Sequence, residues 1–146
     1  MEKLVFVLIF SLLALSVTQN AWAASFAGHW VAEGITMPGE AESEDGDGLP
    51  ARLCAQYQLN EDGTFEAVIY GAWFEGTWDS FEPDTVSLRI KKRSESDEYL
   101  APEMKLKDGN FFYADDQKNL YRLVRIKGEL DVDELLDEIK DALGME

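Results

Sequence analysis

Short runs of alternating apolar and polar residues, each bounded by a turn signal, fill most of the chain after residue 25. In the run from Arg52 to Leu59, Leu53, Ala55 and Tyr57 share one face, and the polar residues share the other. Successive side chains of a strand point to opposite faces, so this pattern predicts a strand with one buried face. Eight such runs are predicted, at residues 26–33, 52–59, 64–70, 72–79, 85–92, 99–107, 110–114 and 119–127.

The connections between these runs predict how the strands are arranged. Asn60-Glu61-Asp62-Gly63 and Asp108-Gly109 are typical of hairpin turns, in which glycine supplies a positive φ. Sequential antiparallel strands joined by tight turns favour an all-β, eight-stranded up-and-down barrel, because closure removes exposed sheet edges. A two-sheet sandwich is the competing architecture. The long connection from Gly34 to Pro50, rich in glycine, proline and acidic residues, predicts a mobile flap over one end of the barrel.

The first 23 residues have the pattern of an export signal. An apolar run from Leu4 to Val17 follows Lys3 and precedes the small-residue motif Ala21-Trp22-Ala23. Because this run is shorter than a membrane-spanning helix, we expect cleavage after Ala23 and a periplasmic or secreted protein. The remaining chain then divides into a β-barrel domain, residues 24–128, and a terminal segment, residues 129–146.

That terminal segment predicts an amphipathic helix with one apolar and one acidic face. Its apolar residues recur at helical spacing: Val132, Leu135, Leu136, Ile139 and Leu143. Asp131 followed by Glu134 is typical of a helix start, and Gly144 is typical of a helix end. We expect the helix to pack on the barrel wall, and docking onto another protein is the alternative.

Charge and cysteine content narrow the classes of partner. The chain has 29 acidic and 13 basic residues, a formal net charge of −16, so nucleic acid and stable membrane insertion are not expected. A partner is expected to be a small apolar molecule or another protein. Cys54 is the single cysteine, so no disulfide forms within the chain and packing must hold the domain together.

Several of these features together resemble the lipocalins and the wider calycin superfamily. They are the triplet Gly28-His29-Trp30, eight antiparallel strands, a large first loop, arginines in the last strand and a terminal helix. The resemblance implies that Trp30 closes one end of the barrel beneath an arginine from the last strand, either Arg122 or Arg125. It also implies a small apolar or amphipathic ligand. The disulfide that is usual in lipocalins is missing. The chain is also similar in size and in its early Gly-x-Trp triplet to the bacterial inhibitors of secreted metalloproteases, another family of small exported barrels.

The sequence contains little that indicates catalysis. His29 is the single histidine, and no serine or cysteine motif accompanies it as a nucleophile. A zinc site would need further histidines or cysteines, so we expect no enzyme, no metal and no cofactor.

Aromatic residues are the candidates for a ligand site. An eight-stranded barrel is wide enough either to be filled by side chains or to hold one small ligand, and the sequence leaves both open. The predicted ligand-lining residues are Tyr57, Phe65, Tyr70, Trp73, Phe74 and Trp78. The predicted function is that of an exported lipocalin-like binding protein. The alternative is a protein-interaction or protease-inhibitor-like module on a solid barrel.

Overall fold

The structure, a computed structural model, describes residues 25–46, 48–93, 99–100, 103–115 and 117–144. The predicted export signal, residues 1–23, lies outside the described residues. The helices are α1 (Ala51–Cys54) and α2 (Val132–Ala142), and residues 25 and 26 are also helical. The strands are β1 (Gly28–Thr36), β2 (Glu42–Ser43), β3 (Asp45–Gly46), β4 (Leu49–Pro50), β5 (Ala55–Leu59), β6 (Thr64–Ile69), β7 (Ala72–Glu82), β8 (Thr85–Arg93), β9 (Tyr99–Leu100), β10 (Met104–Lys107), β11 (Asn110–Ala114) and β12 (Leu120–Ile126).

Eight of these strands form a closed antiparallel barrel. The order around it is β1, β5, β6, β7, β8, β10, β11 and β12, after which β12 pairs again with β1. Closure depends on the β8–β10 seam, in which Val86 pairs with Met104 and Thr85 with Lys105. The predicted eight-stranded up-and-down barrel is confirmed. The alternative, a two-sheet sandwich, does not form.

The barrel has two distinct ends. At the end called the floor, β1 begins at Gly28 beside the end of β5 at Leu59. At the end called the mouth, β1 finishes at Thr36 beside the start of β12 at Leu120. Because β1 ends at the mouth, the connection from β1 to β5 lies at that end of the barrel.

Large inward-facing side chains fill most of the interior. The largest fully buried ones include Trp30, Tyr57, Tyr121, Phe65 and Phe111. Each large apolar side chain removed from water stabilises the fold by about 1.5–3 kcal/mol. Burial of this set therefore stabilises the barrel without an internal disulfide.

Two predicted strands differ from the observed elements. Residues 51–54, predicted as the start of a strand, form the helical turn α1 after Pro50. The amide of Ala51 donates to the carbonyl of Glu44 at 2.7 Å, and the amide of Tyr70 donates to the carbonyl of Cys54 at 2.9 Å. The predicted strand 99–107 is divided into β9 and β10.

The terminal helix packs on the outside of the barrel, against β6 and α1. Leu135 and Ile139 are its buried residues. At its start, Asp131 accepts a hydrogen bond from the amide of Glu134 at 3.1 Å, as the capping pattern predicts. The helix is confirmed, with Val132–Ala142 as its bounds inside the predicted segment 129–146.

Candidate functional site

The floor is sealed by an aromatic cluster, called the floor cluster, of Phe26, Trp30, Phe111 and Arg125. The ring centroids of Trp30 and Phe111 lie 4.3 Å apart, and those of Phe26 and Phe111 lie 5.5 Å apart. The indole Nε1–H of Trp30 donates to the carbonyl of Phe26 at 2.9 Å. The guanidinium of Arg125 lies 4.6 Å from the Trp30 ring centroid, a favourable cation–π geometry. Gly28 precedes the cluster with φ +145°, which a residue with a Cβ rarely adopts.

Arg125, not Arg122, is therefore the last-strand arginine over Trp30. It also donates to the carbonyl of Ser25, and burial lowers the pKa of its guanidinium below the ordinary value. Arg122 points to the outside, where it donates to both carboxylate oxygens of Glu42 at 3.0 Å. Arg122 thus joins the long connection to the barrel wall.

Nearer the mouth, four tyrosines form a second cluster, called the tyrosine cluster: Tyr57, Tyr70, Tyr113 and Tyr121. Centroid distances link Tyr57 to Tyr113 at 6.3 Å, Tyr113 to Tyr121 at 5.5 Å, and Tyr121 to Tyr70 at 6.4 Å. Two of these contacts are edge-to-face, the arrangement that aromatic quadrupoles favour. The cluster places phenol hydroxyls inside a mostly apolar barrel.

Those hydroxyls form a directed hydrogen-bond chain. The hydroxyl of Tyr121 donates to Oδ2 of Asp115 at 3.0 Å and lies 2.9 Å from the hydroxyl of Tyr70. Since Tyr121 has a single proton and gives it to Asp115, Tyr70 donates to Tyr121. Burial, together with these two partners, raises the pKa of Tyr121 above its ordinary value of 10.0. The hydroxyl of Tyr121 is therefore held neutral within a chain that ends at the side chain of Asp115.

Asp115 is held in place by its own turn. Its Oδ1 accepts hydrogen bonds from the amides of Gln117 and Asn119, both at 2.9 Å. This arrangement orients Oδ2 toward Tyr121.

Exposure changes along the interior. At the mouth the inward-facing Ile69, Phe74 and Tyr113 are half-buried, although Ile35 and Tyr121 at the same end are fully buried. At the floor Trp30 and Phe111 are buried, and the inward-facing Leu106 is half-buried. Tyr70 at the rim is 41% exposed. An inward-facing residue that is half-exposed adjoins open space, so the mouth is a shallow apolar cup above a filled barrel.

The six predicted ligand-lining residues divide into four groups. Tyr70 and Phe74 lie at the cup, whereas Tyr57 is fully buried within the tyrosine cluster. Phe65 and Trp78 are buried nearer the floor, where Nε1–H of Trp78 donates to the carbonyl of Asn60 at 2.9 Å. Trp73 pairs with Val68 on the outer wall, on the face opposite Phe74.

The long connection lies over part of the mouth. Its strand β2 pairs with the end of β1, and β3 and β4 form a small hairpin. Gly46 of this hairpin is buried, and a Cβ there would lie 2.6 Å from Cδ1 of Ile35 and 3.3 Å from both the Tyr70 hydroxyl and Sγ of Cys54. The predicted flap is therefore packed directly against the tyrosine cluster, and Cys54 is a buried packing residue beneath it.

Sequence reasoning missed Tyr121 and Asp115. Alternation places Tyr121 on the same face as Leu123, and this could have identified it as inward-facing. Asp115 offered no such signal, because an aspartate in a turn usually caps only its own backbone.

His29 lies on the outer face of β1, away from the cup. Its Nε2 is 2.7 Å from Oε1 of Gln56, and its Nδ1 is buried without a hydrogen-bond partner. Burial lowers the pKa of the imidazole below its ordinary value of 6.5. Within the described ranges, no group of three or more His, Cys, Asp or Glu side chains is placed to hold a metal ion.

A separate groove, called the outer groove, lies on the outside of the barrel between the β1–β12 wall and α1. Its volume is about 310 Å³. Its apolar walls are Val31, Pro50, Ala51, Val124 and Ile126. Glu33, Glu44 and Arg52 also line it.

Comparison with known proteins yields a single remote structural similarity. No family model and no curated protein matches the chain. A crystal structure of a DUF4847 family protein from Bacteroides vulgatus ATCC 8482 is similar, with a TM-score of 0.43 and 15% sequence identity. The match covers 70% of this chain and 95% of that one. In the part of the chain that is described, no helix has both the length and the apolar character to cross a membrane.

Proposed function

We propose that this protein is an exported, non-catalytic binding protein that holds a small amphipathic molecule in the cup at the mouth of its barrel, as lipocalins do. The observation that carries the proposal is a set of inward-facing side chains at the mouth that are only half-buried, Ile69, Phe74 and Tyr113. They lie at the same end of the barrel as the fully buried Ile35 and Tyr121. Concave apolar sites with a few convergent polar groups are typical of ligand sites.

The cup favours a ligand with an apolar body and one polar group. Ile69, Phe74 and Tyr113 supply apolar contact, and the phenol of Tyr70, which is 41% exposed, makes the rim polar. Because large side chains fill the lower barrel, the body of the ligand must be short. A net charge of −16 disfavours anionic ligands, so the polar group is expected to be neutral or cationic.

The first experiment is native mass spectrometry of the protein, expressed from the full 146-residue sequence and purified without detergent. A reproducible additional mass below about 1 kDa, lost on denaturation, supports a carried ligand of the drug-sized class that such pockets hold. The same preparation reports the mature N-terminus, which we expect at Ala24.

A second experiment locates the site with the neutral fluorophore N-phenyl-1-naphthylamine. Phe74→Ala is expected to weaken binding about fivefold or more, as removal of a central aromatic contact typically does. Trp73→Ala is the matched control, since Trp73 is the adjacent aromatic residue on the outer face of the same strand. Equal affinities of both variants and the wild type would contradict a site in the cup.

A further inference from the structure

We propose that the outer groove binds a partner polypeptide through one large apolar side chain of the partner, flanked there by lysine or arginine. This surface is separate from the cup, on the other side of the barrel wall, and the proposal does not depend on a small-molecule ligand.

The first argument concerns the side chains that face outward on the barrel wall beside the outer groove. Outward positions of the β6–β7 wall include the polar Glu66, Glu75 and Thr77, and the apolar ones, Val68 and Trp73, are buried and half-buried. On the β1–β12 wall the outward Val31 is 6% exposed, Val124 is half-buried and Ile126 is 43% exposed. The groove therefore has an apolar base with one exposed apolar residue at its edge, a patch typical of an interaction surface.

The second argument is size. The groove, at about 310 Å³, lies at the lower limit of the roughly 300–1,000 Å³ of drug-sized sites. Pro50 and Ala51 form its far wall, and both belong to a segment held by the bond from the Ala51 amide to the Glu44 carbonyl. A preformed slot of this size suits one anchoring side chain of a larger partner.

The third argument is charge. The two arginines near the groove already have acidic partners, since Arg52 pairs with Glu138 at 2.8 Å and Arg122 with Glu42 at 3.0 Å. Glu44 has no ion-pair partner among the residues that the structure describes, and Glu33 is linked to Arg122 only at 3.6 Å. The rim is therefore net negative and complements a cationic flank.

Charge also argues against a second copy of this chain as the occupant. A homodimer through this groove would bring together two chains of net charge −16. Like-charge juxtaposition opposes association, whereas a basic segment gains from it.

The test uses two synthetic peptides, acetyl-Lys-Leu-Trp-Leu-Lys-amide and its counterpart with glutamate in place of lysine. Binding to isotopically labelled protein is followed by amide chemical shifts. We expect the lysine peptide to bind more tightly and to shift the amides of Val31, Val124 and Ile126. Ile126→Ala is expected to weaken it about fivefold or more, the range of an anchoring contact.

Two matched controls separate the groove from general effects. Leu120→Ala removes an outward apolar residue of the same strand with similar exposure, 38% against 43%, outside the groove lining, and is expected to leave affinity unchanged. Glu44→Lys is expected to weaken binding more than Glu61→Lys, which makes the same charge change in an exposed turn.

Four results would overturn the proposal. One is equal affinity for the two peptides, and another is equal loss in Ile126→Ala and Leu120→Ala. The third is a stable dimer by sedimentation that Ile126→Ala dissociates, which would make a second copy the occupant. Peptide shifts confined to Phe74 and Tyr113 would refute the groove while leaving the cup as a binding site.

Discussion

Replacing Trp30 by alanine tests whether the floor cluster supports the whole barrel. Trp30 is 2% exposed, contacts Phe111 and Arg125, and donates to the carbonyl of Phe26. Truncating a buried tryptophan typically costs about 3–5 kcal/mol in free energy of unfolding, because the lost transfer energy and the residual cavity add. In a milder variant that removes only the indole N–H, the loss of this hydrogen bond alone is expected to cost about 0.5–1.5 kcal/mol in free energy of unfolding.

That milder variant is Trp30→Phe, which keeps a ring against Phe111 and loses the indole N–H. We expect it to lower the free energy of unfolding by about 1–2 kcal/mol, the lost hydrogen bond plus part of the ring. Since small domains have a total stability of about 5–15 kcal/mol, Trp30→Phe remains measurable even where Trp30→Ala fails to fold.

The assay is guanidinium chloride denaturation followed by far-ultraviolet circular dichroism, with the change taken from the midpoint and slope. Trp73→Ala is the matched control, because Trp73 lies on the outer wall. Trp73 is half-buried and packs against the core, so Trp73→Ala is expected to cost about 1.5–2.5 kcal/mol, less than Trp30→Ala. A loss in Trp30→Ala no greater than that in Trp73→Ala would refute the role assigned to the floor cluster.

Two further predictions concern His29 and Gly76. Because burial lowers the pKa of His29 below 6.5, the unfolded chain binds the proton more readily, so His29 contributes stability above pH 6.5 that is lost as the pH falls toward its folded pKa. Denaturation at pH 7.5, 6.5 and 5.5 should show a steeper acid loss in wild type than in His29→Gln, and a shallower loss would contradict the assignment. A Cβ on Gly76 would lie 1.9 Å from the carbonyl oxygen of Arg89, so Gly76→Ala should cost about 1–3 kcal/mol or more. Thr77→Ala, on the opposite face, is its control, and equal stability of the two variants in the same denaturation assay would contradict the close approach.

The barrel was predictable because alternation and turn chemistry act locally. A one-residue slip would expose every buried side chain of a strand, so the pattern from Thr64 to Ile69 strongly specifies which face is inside. The terminal helix was predictable for a similar reason, since Asp131 and Glu134 are only three residues apart.

Other features depend on residues distant in the chain. The helical turn α1 is held at each end by Glu44 and Tyr70, and four residues of alternating sequence are equally compatible with a strand. The contact of Tyr70 with Tyr121 spans 51 positions. Alternation shows that Phe74 and Trp78 face inward, but it carries no information on depth along the barrel, so cup and floor residues were predicted as one set.

The short β8–β10 seam has a consequence for how the protein can fail. It joins two register pairs among the described residues, whereas the other ladders around the barrel join three to seven. A fluctuation that separates Val86 from Met104 opens the closed sheet along β10 and the start of β8, while Arg89 and Ile90 of β8 stay paired with β9. Such a species has native secondary structure almost everywhere, yet offers backbone donors and acceptors to a neighbouring molecule. Aggregation would then begin from a locally opened native state, without global unfolding of the barrel.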